Sequence, residues 1–374
     1  MSKLNSLLTG LLLTMPGLVF ADTPPKDPCC GVKIFGYIDG SYNYLESDNQ
    51  FISGNYDRAF DIQEDGFTLQ QAALSLAYQP DKGLGGLINV ILGRDALATA
   101  SYGYDFLESD HIGFDILQVY GQYAIGKFTF LAGKFVTIVG VEGIDPTGDT
   151  NFSRSLLFAF ATPDTHTGFR GTYAWNDKLK FILGINDGWD NIRDFSRGPT
   201  FEYGISYNPC SKLALSAQGY LGEERVVSHT ASGPKGARHL LDLTASYNAT
   251  DKLTIAANFD YGTQNNAFLV TGENGNASWI GLAAYLNYKF NDTWRISLRG
   301  EDFDDRNGYR TGVEQTIKEL TFTIGFAPIK NVELRGETRR DFSNVYSYVD
   351  RDSGNPRKIQ QSYAIEGIYK FSNS

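Results

Sequence analysis

Cysteine is scarce in this chain, and the three that occur, Cys29, Cys30 and Cys210, are badly placed for a scaffold. Two are adjacent and one is distant. A disulfide framework is therefore excluded, although one bridge from the N-terminal pair to Cys210 would leave a single thiol over. Unpaired or variably oxidised thiols are the expected state. Histidine is equally thin: His111, His166, His229 and His239 show no metal-ligand spacing, so neither a metal nor another cofactor is expected. No cluster of Lys and Arg is available to neutralise phosphates, and the net charge is −10 at pH 7, which argues against nucleic acid as a partner. Long apolar runs are missing too. Beyond the first residues, nothing approaches the roughly 20 unbroken apolar positions of a spanning helix.

The first 21 residues have a basic start at Lys3, an apolar stretch from Leu7 to Phe20 and a small-residue end, Val19-Phe20-Ala21. That pattern predicts a cleaved secretory signal over 1–21, too short to anchor in a membrane. A short periplasmic segment over 22–33 would follow. What is abundant is aromatic and small: 25 Phe, 22 Tyr and 40 Gly, yet mean hydropathy is −0.27. Such a balance suits strands whose greasy and polar positions alternate. From Trp294 to Glu301, for example, Trp294, Ile296, Leu298 and Gly300 share one face, while Arg295, Ser297, Arg299 and Glu301 share the other. Leu320 to Phe326, Val332 to Glu337 and Leu253 to Tyr261 repeat the pattern.

The turns discriminate between a soluble sandwich and a barrel in lipid. An aromatic repeatedly closes a strand just before a tight turn: Tyr78, Tyr123, Tyr173, Tyr207, Tyr247, Tyr288 and Phe326, with Phe371 near the C-terminus. Between these turns lie long loops rich in Asp, Asn and Gly. Short turns at one end, long loops at the other and a ring of aromatics at the short-turn end describe an antiparallel transmembrane β-barrel with an interfacial girdle. Seven tight turns each join two strands, and a strand at each terminus brings the total to about 16. The barrel should span 34–371, followed by a C-terminal tail over 372–374. Its surroundings would be outer-membrane lipid and lipopolysaccharide, and its aromatic last strand should suit the barrel-assembly machinery. A homo-oligomer such as a trimer is compatible with this plan.

Sixteen strands enclose water rather than a filled core. A pore is the default, and its longest loop runs from about Ile138 to Asp164. This loop carries Glu142, Asp145, Asp149 and Asp164 against a single Arg154. Around a closed circle it faces the strands bearing Arg295, Arg299, Arg335 and Arg339, while Arg170 points inward beside it. The expectation is an acidic loop folded inward against a basic wall, which would narrow the lumen and set a field across it. The apolar run Leu156–Ala161 would clip the loop to the wall.

Two other readings compete. Ser153, Ser155, Asp164 and His166 could pass for hydrolase parts, but no G-x-S-x-G elbow holds either serine and nothing places the histidine beside one. An enzyme is not expected. Trp279 and Tyr285 lie on the polar phase of their strand, where rings could stack on sugars and make the pore carbohydrate-selective. A non-conducting barrel whose loops bind a partner is the further alternative.

Several blocks also resemble the β-barrel porin family 2: FGYIDGSYNY at 35–44, GFTLQQA at 66–72, GRDA at 93–96 and AGKF at 132–135. NFSRS at 151–155, THTG at 165–168 and DGWD at 187–190 complete the match, which spans most of the chain after the leader. The resemblance implies an outer-membrane barrel of porin type admitting small hydrophilic solutes by diffusion. It supplies no catalytic residues.

Overall fold

The computed structural model describes residues 31–47, 57–62, 65–102, 113–227 and 232–373. Sixteen antiparallel strands close into one barrel. They are β1 (Lys33–Leu45), β2 (Gly66–Tyr78), β3 (Gly83–Leu92), β4 (Phe114–Ile125), β5 (Phe128–Val136), β6 (Thr165–Ala174), β7 (Leu179–Asn186) and β8 (Thr200–Cys210). The second half comprises β9 (Leu213–Val227), β10 (Ser232–Asn248), β11 (Leu253–Phe268), β12 (Asn274–Lys289), β13 (Trp294–Asp305), β14 (Gln315–Ile329), β15 (Val332–Ser343) and β16 (Ile359–Ser372). Every strand pairs with its sequence neighbours, and β16 pairs with β1 from Phe35–Ser372 to Leu45–Ser362. Closure removes the row of unpaired peptide groups that an open sheet would expose, a requirement inside hydrocarbon.

The alternation read from the sequence becomes an inside-out distribution. Leu282, Leu320, Ile324 and Ile365 point outward and are exposed, whereas Gln71, Asn258, Arg299, Thr321 and Glu366 point inward and are buried. A soluble sheet would reverse this, so the apolar outer surface suits lipid. Among the described residues no helix is long and apolar enough to cross a membrane; that statement does not bear on strands.

At one end the connections are tight. Gly126, at φ +61°, makes the two-residue turn between β4 and β5, a conformation a Cβ would disfavour. Tyr78, Tyr123, Tyr173, Tyr207, Tyr247, Tyr288, Phe326 and Phe371 lie near the turn-side ends of the even-numbered strands. Neighbouring rings pack together, as in Phe128–Tyr173 at 4.6 Å and Trp294–Phe326 at 4.4 Å between centroids. Cys210 ends β8 with an exposed free thiol, while Cys29 and Cys30 lie outside the described residues.

At the other end the connections are long. The β3–β4 connection holds a short helix, α1 (Asp95–Thr99), and the β15–β16 connection a two-stranded ribbon of Tyr348–Val349 with Pro356–Arg357. The longest, residues 137–164 between β5 and β6, contains a π-helical turn at Leu157–Ala161.

Candidate functional site

A buried loop must satisfy its own peptide groups, and no sheet ladder does this for residues 137–164. Inward-facing side chains of the strands opposite take over. Gly140, at φ +95°, turns the chain so that its N–H reaches Asp242 Oδ2 at 3.1 Å, and Val141 N–H reaches Asn258 Oδ1 at 3.1 Å. Glu337 accepts the N–H groups of Phe152 (2.7 Å) and Ser153 (3.0 Å). Glu301 accepts those of Leu156 (3.0 Å) and Leu157 (3.3 Å).

Arginines satisfy the carbonyls. Arg299 donates to Ser153 O at 2.6 Å and to Glu142 Oε1 at 2.7 Å, with Glu319 Oε2 at 3.1 Å on its other side. Arg335 donates to Pro146 O (3.0 Å) and Asp149 O (2.9 Å), Arg339 to Arg154 O (2.7 Å), and Arg295 to Thr150 O (2.7 Å). Within the loop, Arg154 pairs with Asp149 at 3.0 Å and donates to the carbonyls of Gly143, Ile144 and Phe152. Leu156 and Leu157 are fully buried in a cluster with Trp279, Tyr285, Phe303 and Ile317 from the wall.

The other flank of the loop differs. Between it and β1–β5 lies a cavity of about 60 Å³. At roughly 15 Å³ for each water position, that is room for a short file of waters. Its polar lining is Tyr37, Ser75, Asn89, Gln118 and Thr137 with the carboxylates of Glu142, Asp145 and Asp164. Burial raises the Asp145 carboxyl above its ordinary value, opposed by hydrogen bonds from Thr147 and by Arg154. Burial, then the charge of Asp190, pushes Asp164 well up. In the loop and α1 behind, burial lifts Asp149 and Asp95 each to about 7 despite Arg154. Burial also works against the Arg154 charge, but Asp149, Asp95 and Glu142 outweigh it and hold the guanidinium above its usual range.

A family model described as "Putative beta-barrel porin-2, OmpL-like" matches residues 31–371. The chain belongs to that family. The porin-2 chain also shares its fold with solved outer-membrane channels. DcaP of Acinetobacter baumannii aligns at TM-score 0.63 and 14% identity, covering 91% of this chain and 97% of that one. OmpT of Vibrio cholerae gives 0.60 and 12% over 92% and 99% of the two chains. An anion-selective porin from Comamonas acidovorans gives 0.58 and 11% over 91% and 99%. No curated relative matches in sequence. The family and the barrel together place this protein in the outer membrane as a porin-like channel fold.

Within this porin-2 barrel, several residues singled out from the sequence do not stand as expected. Arg299, Arg335 and Arg339 are 0%, 2% and 1% exposed, so they form no basic wall facing water. They hold loop carbonyls, and carboxylates beside them neutralise their charge: Glu142 and Glu319 for Arg299, Glu366 for Arg335 and Asp341 for Arg339. Arg295 is half-buried against Glu333, and Arg170 pairs with Glu202 at 2.8 Å. These arginines are therefore not free groups facing an acidic loop across water.

Trp279 and Tyr285 also need correction. Trp279 is wholly buried, its Nε1 donates to Ala161 O at 3.1 Å, and its ring lies 6.3 Å from Trp189 and 6.0 Å from Tyr309. Tyr285 is 3% exposed. The loop covers both rings, leaving no face on which a sugar could stack.

The hydrolase-like set does not converge either. His166 Nδ1 lies 3.0 Å from Gly188 O and its ring stacks on Tyr220 at 4.3 Å. Ser153 Oγ accepts from Arg299, and Ser155 Oγ accepts from Phe158 N–H. The inward acceptors Glu301, Glu319, Glu337, Asp242 and Asn258 escaped the sequence reading. Their signal was available: once the turns fix the register, Glu301 falls opposite Glu319, and Glu319 opposite Asp341, between rows of arginine.

Proposed function

We propose that this protein is a narrow diffusion channel for small hydrated solutes, with residues 137–164 as its constriction. The observation that supports this is the set of bonds from the loop backbone to inward side chains of β10, β11, β13 and β15. The cavity beside it favours ions and very small polar molecules over sugars. Residues 1–21 would act as the cleaved export signal. Purified protein in planar bilayers should give small, uniform conductance steps, and variants that loosen the loop should enlarge them. Absence of steps at every voltage would overturn the reading.

A second reading draws on the same packing. Arg238 and Arg310 lie over the rings of Trp189 and Trp279 at 4.7 Å and 5.3 Å, tying further connections over the mouth. A barrel closed in this way would serve through its surface loops. Conductance separates the two, since a closed barrel passes no current before the loops are loosened.

A further inference from the structure

The loop sorts its charges by side. On the β13–β15 flank each arginine meets a carboxylate and is held in the bonds described above. On the β1–β5 flank, Glu142, Asp145 and Asp164 line the cavity, and among its described lining residues there is no lysine or arginine. Lys134 is buried 3.0 Å from Asp115 and donates to Ile116 O, and Lys370, which pairs across the sheet with Tyr37, acts on Asp145. Arg154 stands behind the lining against Asp149. Two more carboxylates, Asp39 and Asp95, act electrostatically on Tyr37, whose side chain lines the same cavity. Each keeps one buried oxygen, Oδ1, without a hydrogen-bond partner. Arg154 therefore answers several of these carboxylates from one side only, while the described lining of the cavity itself holds three carboxylates and no cation.

We propose that passage beside the loop selects small monovalent cations over anions, and that Asp145 and Asp164 set the preference. This rests on the pore reading given above. One unit charge about 5 Å away changes the local cation concentration about fourfold even at the dielectric constant of water. The confined site screens less than bulk water, and no arginine is among the described residues lining the cavity itself; Arg299 pairs with Glu142, and Arg154 acts on Asp145 and Asp164 from behind the lining. Burial raises both aspartates, so their charge develops more fully as pH rises.

The test is the reversal potential of single channels under a potassium chloride gradient, at low salt and about pH 8, where the raised carboxyls are more fully ionised. The wild type should favour potassium. Asp145→Asn and Asp164→Asn should each lower the potassium-to-chloride permeability ratio by about 16-fold, because a charge that raises potassium about fourfold lowers chloride by the same factor. Asp302→Asn, on the outer surface against Lys318, should leave it unchanged. A chloride-preferring or unselective wild type would overturn the proposal, and so would aspartate variants that keep the wild-type ratio. The wild-type potential decides the sign even if a variant fails to fold. Complete absence of conductance is a separate outcome, which removes the pore reading itself and this inference with it.

Discussion

Arg299 and Asp145 lie on opposite flanks of one loop, and both carry charge into the barrel, yet the loop treats them differently. Arg299 is wholly buried and donates to Glu142, Glu319 and Ser153, so its charge is consumed in holding the loop. Asp145 is only partly buried, accepts one N–H from Thr147 at 2.8 Å, and borders the cavity. Charge on the first flank is held in bonds to the loop, whereas Asp145 on the second borders a cavity with no lysine or arginine among its described lining residues. Counting inward charges does not describe the field in a lumen; what counts is which of them border open space.

Four outcomes would break or sharpen that contrast, taken from largest to smallest. Arg299→Ala strips a partner from buried Glu142 and Glu319, a loss of about 3–5 kcal/mol for such networks. The docked loop should release, raising single-channel conductance several-fold and admitting protease to residues 137–164. Unchanged steps would show that the docked flank does not set the constriction. Trp279→Ala removes the ring beneath Ala161 and should cost about 3 kcal/mol. Conductance should rise less than for Arg299→Ala, and no sugar should block current in either protein. Sugar block lost in the variant would restore Trp279 as a stacking platform.

The third outcome concerns pH. Asp95 and Asp149, at about 7 through burial, take up protons as pH falls towards ordinary carboxylate values. They are faced by Arg154, and also by Glu366 and Asp61 around Asp95 and by Glu142 and Arg335 around Asp149. The docked loop binds protons more readily than a released one, so docking strengthens on acidification. The cavity also loses negative surroundings. Both effects act in one direction: conductance and cation preference should fall between about pH 8 and 5. A rise on acidification would contradict both. Smallest of all, Tyr247→Phe deletes only a hydroxyl at the outer girdle and should cost about 1 kcal/mol or less. Thermal stability in detergent should shift slightly while conductance stays put, confirming that the outer surface is decoupled from the loop.

The barrel was largely legible in the sequence. Period-two alternation and the aromatic before each tight turn follow from local geometry, and Leu298 or Tyr247 needs only its neighbours to be assigned a face. The position of the loop opposite β13–β15 could be counted round the circle. Solvation could not be counted in that way. Arg335 and Trp279 occupy inward positions whether they meet water or a loop, and only packing distinguishes the two. The acceptors Glu301 and Glu337 were missed for a related reason: a carboxylate on an inward face looks like pore lining until a peptide N–H is found against it.

The pairing of β1 with β16 has a consequence for how this chain can fail. Until Ile359–Ser372 is in place, β1 and β15 each present a full row of unpaired peptide groups, and each such group in hydrocarbon costs several kcal/mol. A polypeptide ending even a short way before residue 359 is therefore not a slightly weaker version of the protein. It has no inserted state of its own, so premature termination late in the reading frame should abolish the product as thoroughly as termination early in it.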